Sequence, residues 1–231
     1  MNHGFSIVEM LVAAAIGIGV LSIVIVNIAH SSTLSEKVVS HQQTLESLFH
    51  TVDTIKSDLS RCGMRMQEAA RKFPVHSFQH ESRGFTLRYG VSTCQILEEA
   101  PKGTKVITIP GDDFASKRKR VLLYSLADNV FEINEIQSVS GSRIQLKNPL
   151  ENDYPEVSEL VILKEIGLRY YPRTSQLKRK LDLGYYQPLI ENVTDFSSTY
   201  FPESHSLLYR LEVNRREQVR GYVFLPNLVE P

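Results

Sequence analysis

Apolar residues crowd the front of the chain. From Met10 to Ala29 twenty consecutive positions carry no charge, and only Gly17, Gly19, Ser22 and Asn27 interrupt the run. As a helix this stretch reaches roughly 30 Å, about one hydrocarbon core, so the pattern predicts a single membrane span. Beyond Ser31 the apolar positions thin to a seam: Leu34, Val38, Leu45, Leu48, Val52, Ile55, Leu59, Cys62 and Met66, with His41 completing alternating steps of three and four. That is helical spacing. Neither Pro nor Gly falls between Ser31 and Gly63, so one helix is predicted from about Ser6 to about Ala70. Its N-terminal half is apolar all round, and its C-terminal half presents one stripe. A coiled-coil partner would use the same stripe, but the sequence that follows supplies another cover for it.

From Phe73 onward the period shortens to alternating or apolar runs bounded by turn residues. The predicted strands are Phe85–Tyr89, Val91–Leu97, Lys105–Ile109, Val121–Ser125, Val130–Gln137, Arg143–Leu146, Glu159–Lys164, Gly167–Tyr171, Gln176–Leu181, Val193–Tyr200, Leu207–Val213 and Gln218–Leu225. Turns are predicted at Pro110-Gly111-Asp112-Asp113, Ser140-Gly141-Ser142 and Leu183-Gly184. One long N-terminal helix followed by strands alone predicts an α+β fold, with the helix stripe packed on an antiparallel sheet.

Composition narrows the classes. A chain of 231 residues allows one domain with an appendage, or two small domains. Lys+Arg and Asp+Glu both total 26, so no overall charge draws the chain to nucleic acid or to an anionic surface. A content of 42% hydrophobic and 23% charged residues excludes a disordered tail and a multi-span membrane protein alike. Two cysteines, Cys62 and Cys94, exclude a disulfide-rich scaffold and a four-cysteine zinc site.

The apolar run has to be reconciled with what precedes it. A cleaved secretory signal wants a basic start, a shorter apolar stretch and a small-residue cleavage site, whereas Met1-Asn2-His3-Gly4 has no Lys or Arg and Asn27-Ile28-Ala29-His30 is a poor site. An ordinary anchor has no use for the carboxylate of Glu9. Gly4 followed by Phe5-Ser6-Ile7-Val8-Glu9-Met10-Leu11-Val12-Ala13 resembles the class III leader of type IV pilins and type II secretion pseudopilins. The resemblance implies that a prepilin peptidase cuts between Gly4 and Phe5 and methylates the new N-terminus at Phe5. It divides the chain into a leader (1–4), a transmembrane half-helix (5–30), an amphipathic extension (31–71) and a β-rich globular domain (72–231). It also implies a bacterial inner-membrane protein, single-pass, with its C-terminal domain outside the cytoplasm before it enters a filament.

Glu9 then acquires a task. A charged side chain deep in a bilayer costs roughly 3 kcal/mol on insertion scales, so it is expected to have a partner. Cleavage would expose an amine at Phe5, four residues back on the same helix face, and a helix N-terminus itself favours a carboxylate. The resemblance implies that in a filament Glu9 meets the amine of a neighbouring subunit and sets axial register. The competing expectation is an interfacial Glu that only marks the edge of the span.

A second set of residues narrows the class. Ile55-Lys56-Ser57-Asp58-Leu59-Ser60-Arg61-Cys62-Gly63-Met64 is similar to the helix end of PilW-type minor pilins and J-type minor pseudopilins, with Cys62 in place of their usual Ala. Gly167-Leu168-Arg169-Tyr170-Tyr171, Gln176-Leu177-Lys178-Arg179 and Pro188-Leu189-Ile190-Glu191-Asn192-Val193-Thr194-Asp195-Phe196 resemble strands of the same proteins. The implied function is a minor pilin that inserts through its helix and helps initiate or cap a type IV pilus. Two alternatives share the architecture: a minor pseudopilin of a type II secretion system, and a tip-located module for adhesion or DNA uptake. The implied partners are other pilins or minor pilins, met through the helix, the prepilin peptidase and the inner membrane.

Other chemistry is thinly represented. Gly-x-Ser-x-Gly, a phosphate loop, His-Glu-x-x-His and Cys-x-x-Cys are missing from the sequence, so neither an enzyme nor a cofactor is expected. His76 and His80 are four apart but lie in a segment that reads as strand or loop, so no metal is expected there. Asp112-Asp113 reads as a turn rather than a calcium loop, and Asn192-Val193-Thr194 as a chance sequon. Lys117-Arg118-Lys119-Arg120 and Lys178-Arg179-Lys180, the latter near Tyr170, Tyr171, Tyr185 and Tyr186, could contact phosphates, but the balanced charge favours solvated strand edges and disfavours nucleic acid. Outside the cytoplasm disulfides persist, so one bridge between Cys62 and Cys94 is expected, worth roughly 3–4 kcal/mol by loop closure. Two buried free thiols are the alternative.

Overall fold

A computed structural model describes residues 7–111 and 119–228. The predicted leader, the Asp112-Asp113 turn and the pair Lys117-Arg118 therefore lie outside the described residues. The chain divides into two compact units, Met1–Phe49 and His50–Pro231.

The first unit is helical. Helix α1 runs Ile7–Arg61, carries Glu9 in its first turn and Arg61 in its last, and continues into the second unit. The seam is only partly buried: Leu34 and Val38 are exposed, while Val52, Ile55, Leu59, Cys62 and Met66 are buried. The helix also stops short of Ala70. Gly63 adopts φ +74°, a left-handed conformation that ends a helix cheaply only at glycine, and a short helix α2, Gln67–Lys72, follows. A Cβ at Gly63 would also meet the backbone oxygen of Asn227 at 2.3 Å, so the turn admits no side chain.

The second unit carries twelve strands among the described residues: β1 Phe78–Glu81, β2 Gly84–Gln95, β3 Val106–Thr108, β4 Arg120–Ser125, β5 Val130–Ser140, β6 Arg143–Leu146, β7 Glu159–Tyr171, β8 Gln176–Leu181, β9 Gln187–Ile190, β10 Val193–Phe201, β11 Ser206–Val213 and β12 Glu217–Phe224. They form a nine-stranded sheet ordered β1-β2-β7-β4-β5-β6-β3, with β8 and β9 branching from β7, and a three-stranded sheet β10-β11-β12. The strand pairs among the described residues are antiparallel, so one long helix precedes an antiparallel β domain, an α+β arrangement.

Strands β4 and β7 lie at the centre and read as continuous apolar runs because both of their faces are covered. Val121, Leu123, Leu160 and Ile162 join one core with Ile96, Ile107, Ile136 and Tyr154. The alternating residues Leu122, Tyr124, Val161 and Leu163 join a second core with Met66, Ala69, Phe73 and Val75.

The strand predictions are corrected in four places. Two predicted pairs each form one strand. Gly90 bulges β2 rather than ending it, and a Cβ there would meet Val161 Cγ1 at 2.6 Å. The charge at Glu165 does not end β7, because it accepts hydrogen bonds from Arg88 Nε at 2.8 Å and Arg120 Nη1 at 2.5 Å. Two strands were not foreseen: β1, a polar segment paired only to β2, and β9, an edge strand whose Pro188 removes the usual signal.

Candidate functional site

The apolar stretch of α1 is the most distinctive surface. Every large apolar side chain from Ile7 to Ile28 is between 45% and 79% exposed within this single chain. Leaving such side chains in water forgoes about 1.5–3 kcal/mol each, a total no marginally stable domain tolerates, so this surface needs an apolar environment. The helix is long and apolar enough to cross a membrane. Its polar residues are compatible with lipid: Ser22 Oγ donates to Ile18 O at 2.8 Å, and Thr33 Oγ1 donates to Ala29 O where the run ends. Glu9 lies in the first helical turn. Gly4 and Phe5 lie outside the described residues.

At the other end of α1 the side chains turn inward and become specific. Asp58 is buried and accepts two hydrogen bonds from Arg179 of β8, Nε to Oδ2 and Nη2 to Oδ1, both at 2.7 Å. One carboxylate and one guanidinium face each other as a planar fork, the strongest common ion-pair geometry. Asn227 Nδ2 donates to Ser60 O, and Gln67 Nε2 donates to Asn227 Oδ1, so the C-terminal segment is tied to both sides of the Gly63 turn.

Both cysteines are free thiols. Cys62 Sγ donates to Ser77 O at 3.1 Å, whereas Cys94 packs against the core that holds Ile96, Leu160 and Ile162. The expected bridge is absent from this structure. Burial pushes both thiols up to about 12, which leaves them protonated and unreactive near neutral pH.

The candidate histidine pair does not converge. His80 lies in β1 with Nε2 at 3.0 Å from both the backbone O and Oγ of Ser198, while the backbone O of His76 accepts a bond from Arg88. Among the described residues no three His, Cys, Asp or Glu side chains gather as metal ligands.

The basic run on β8 is broken up by its surroundings. Arg179 turns inward to Asp58, while Lys178 Nζ sits 4.9 Å above the ring of Tyr171. Tyr171 in turn meets Tyr186 edge-on, with centroids 5.8 Å apart, and Arg169 lies 5.7 Å from the Tyr186 centroid. Beside this group is a cleft of about 600 Å³ lined by Glu81, Arg83, Arg169, Tyr170, Tyr171 and Arg173. Sequence reasoning caught the tyrosines but missed Arg83 and Arg173, which stand ninety positions apart and meet only because β2 and β7 pair with Gly84 opposite Arg169. A second cleft, about 750 Å³, is lined by Glu99, Lys102, Asp128, Glu151, Asp153 and Tyr154 among others. Two of its carboxylates are already engaged: Asp153 accepts the Lys102 N–H and Asp128 the Ser125 hydroxyl.

Comparisons with known proteins add little. No family model matches the chain, and no curated protein matches it. Among solved structures, the Gp54 tailspike of Acinetobacter baumannii bacteriophage AP22, in complex with A. baumannii capsular saccharide, aligns over 34% of this chain and 15% of its own, with 15% identity and a TM-score of 0.28. A likeness that slight carries no argument.

Proposed function

We propose that the chain is a minor subunit of a type IV pilus-like filament, anchored in the bacterial inner membrane by its N-terminal helix until it is assembled. The observation that carries this reading is the junction of Gly4-Phe5 with Glu9 just ahead of a twenty-residue uncharged run in a long helix. In this reading the leader is removed after Gly4, Phe5 becomes a methylated N-terminus, and Glu9 pairs with the amine of the neighbouring subunit. The exposed apolar surface of α1 passes from lipid to the packed helices of the filament without entering water. The buried last turns of α1 are tied to the β domain by the Asp58–Arg179 fork.

The size of the β domain favours a minor place. Bulk subunits stack in thousands at a lateral spacing set by tightly packed helices, and repeated head-to-tail contact demands complementary surfaces at both ends. A twelve-stranded domain suits a tip, where one side is free. Quantitative mass spectrometry of sheared filaments should find this chain at a few per cent or less of the main subunit, and deleting it should lower filament number without changing filament composition. Its recovery as the dominant filament protein would refute the proposal.

A further inference from the structure

The geometry points to the cleft between the β1–β2 turn and the C-terminal end of β7 as a binding site for a nucleotide unit, a phosphate ester carrying a planar base. The chain is formally neutral, yet this cleft gathers Arg83, Arg169 and Arg173 against the single carboxylate of Glu81, with Lys178 on the adjoining strand. Glu81 is already committed to Arg169. Among the described residues neither Arg83 nor Arg173 has an ion-pair partner, so two guanidiniums face one cleft with their charge uncompensated. A guanidinium is a planar fork of donors that matches phosphate oxygens in pairs.

Tyr170 and Tyr171 line the cleft beside Ser82, Pro172 and Thr174, and both tyrosines are held in place. Tyr170 donates its hydroxyl to the backbone oxygens of Val193 and Thr194, and its N–H donates to Arg83 O at 2.8 Å, which fixes the turn carrying Arg83 against β7. Tyr171 is braced edge-on by Tyr186 and covered on one side by the Lys178 ammonium. A simple anion would use the arginines and leave the rings idle; a neutral aromatic would do the reverse. A nucleotide engages both, its phosphate on Arg83 and Arg173 and its base on the ring of Tyr171, where stacking is worth about 1–3 kcal/mol per base. About 600 Å³ lies within the usual size range of small-molecule sites. In a duplex the bases are already stacked on one another and cannot reach the rings, so the unit is a free nucleotide or part of a single strand. This inference does not depend on the filament reading.

Fluorescence anisotropy of a labelled ten-residue oligothymidine, titrated with the full chain in nonionic detergent, tests it. The strand should bind with a log–log salt slope of about −1.4, the value for two phosphates neutralised on a single strand. Arg83→Ala with Arg173→Ala should weaken binding by about tenfold or more, Arg83→Lys with Arg173→Lys should restore part of that loss, and Lys119→Ala should change it less than twofold. Because both arginines are exposed, the double variant should keep the wild-type circular dichroism spectrum and melting temperature. Displacement by thymidine monophosphate would assign the site to free nucleotides, and strand binding without displacement would assign it to single strands. Unchanged affinity in the double alanine variant, or a duplex of equal length binding as tightly as the strand, would overturn the inference.

Discussion

Arg179→Ala should be among the most damaging single substitutions outside the apolar cores. The Asp58 side chain is 6% exposed and that of Arg179 25%, so deleting the arginine strands a carboxylate that water hardly reaches. Removing one member of a buried pair costs about 3–5 kcal/mol, and the partial exposure of Arg179 places this case at about 3 kcal/mol. Asp58→Ala should cost less, about 2 kcal/mol, because the guanidinium left behind can turn toward solvent. For a unit of this size 1 kcal/mol moves the melting temperature by about 2–4 °C, so Arg179→Ala should melt about 6–12 °C below wild type. Replacing both residues by leucine should recover much of that loss, since no charge remains buried. Thermal unfolding of the full chain in nonionic detergent, followed by circular dichroism, measures all three. A melting temperature for Arg179→Ala within 2 °C of wild type, or a double variant worse than the sum of the singles, would refute the reasoning.

Two further perturbations probe the cores. Gly221→Ala would place a Cβ about 2.2 Å from the Tyr209 ring, which is fully buried and cannot retreat; a loss of about 1–3 kcal/mol in chemical denaturation is expected, and wild-type stability would contradict it. Alkaline pH should destabilise the fold: burial pushes Cys62, Cys94 and the Tyr209 phenol up to about 12, whereas the unfolded groups titrate near 8.5–10. Their contribution is then fully present below about pH 8.5 and lost as pH rises toward 12, so the denaturation midpoint should fall through that window, and a flat profile from pH 9 to 11 would contradict the assignment.

Much of the architecture was legible because its signals are local. The uncharged run, the three-four seam and the short alternating runs each occupy one stretch of sequence, and β6 and β8 fall where their patterns end. What escaped depends on tertiary partners. Glu165 sits inside β7 only because two arginines from other strands meet it, and Gly90 is needed at its bulge because a Cβ there would strike Val161 of the neighbouring β7. Cys62 and Cys94 looked like a plausible bridge at the level of helix stripe and early strand. Their actual surroundings, Ser77 O for Cys62 and the core around Leu160 for Cys94, cannot be read from either cysteine's neighbours in sequence. The arginine cleft was invisible for the same reason: strand pairing, not sequence proximity, brings Arg83 to Arg173.

The filament reading stands or falls on the N-terminus. Intact-mass measurement of the chain, expressed in a host that has the prepilin peptidase and extracted from its membranes, reads it directly. The account predicts loss of Met1–Gly4 and a gain of one methyl group on Phe5, with Gly4→Val blocking the cut. An uncleaved chain in that host, or one cut near Ala29 as a secretory signal would be, would contradict it.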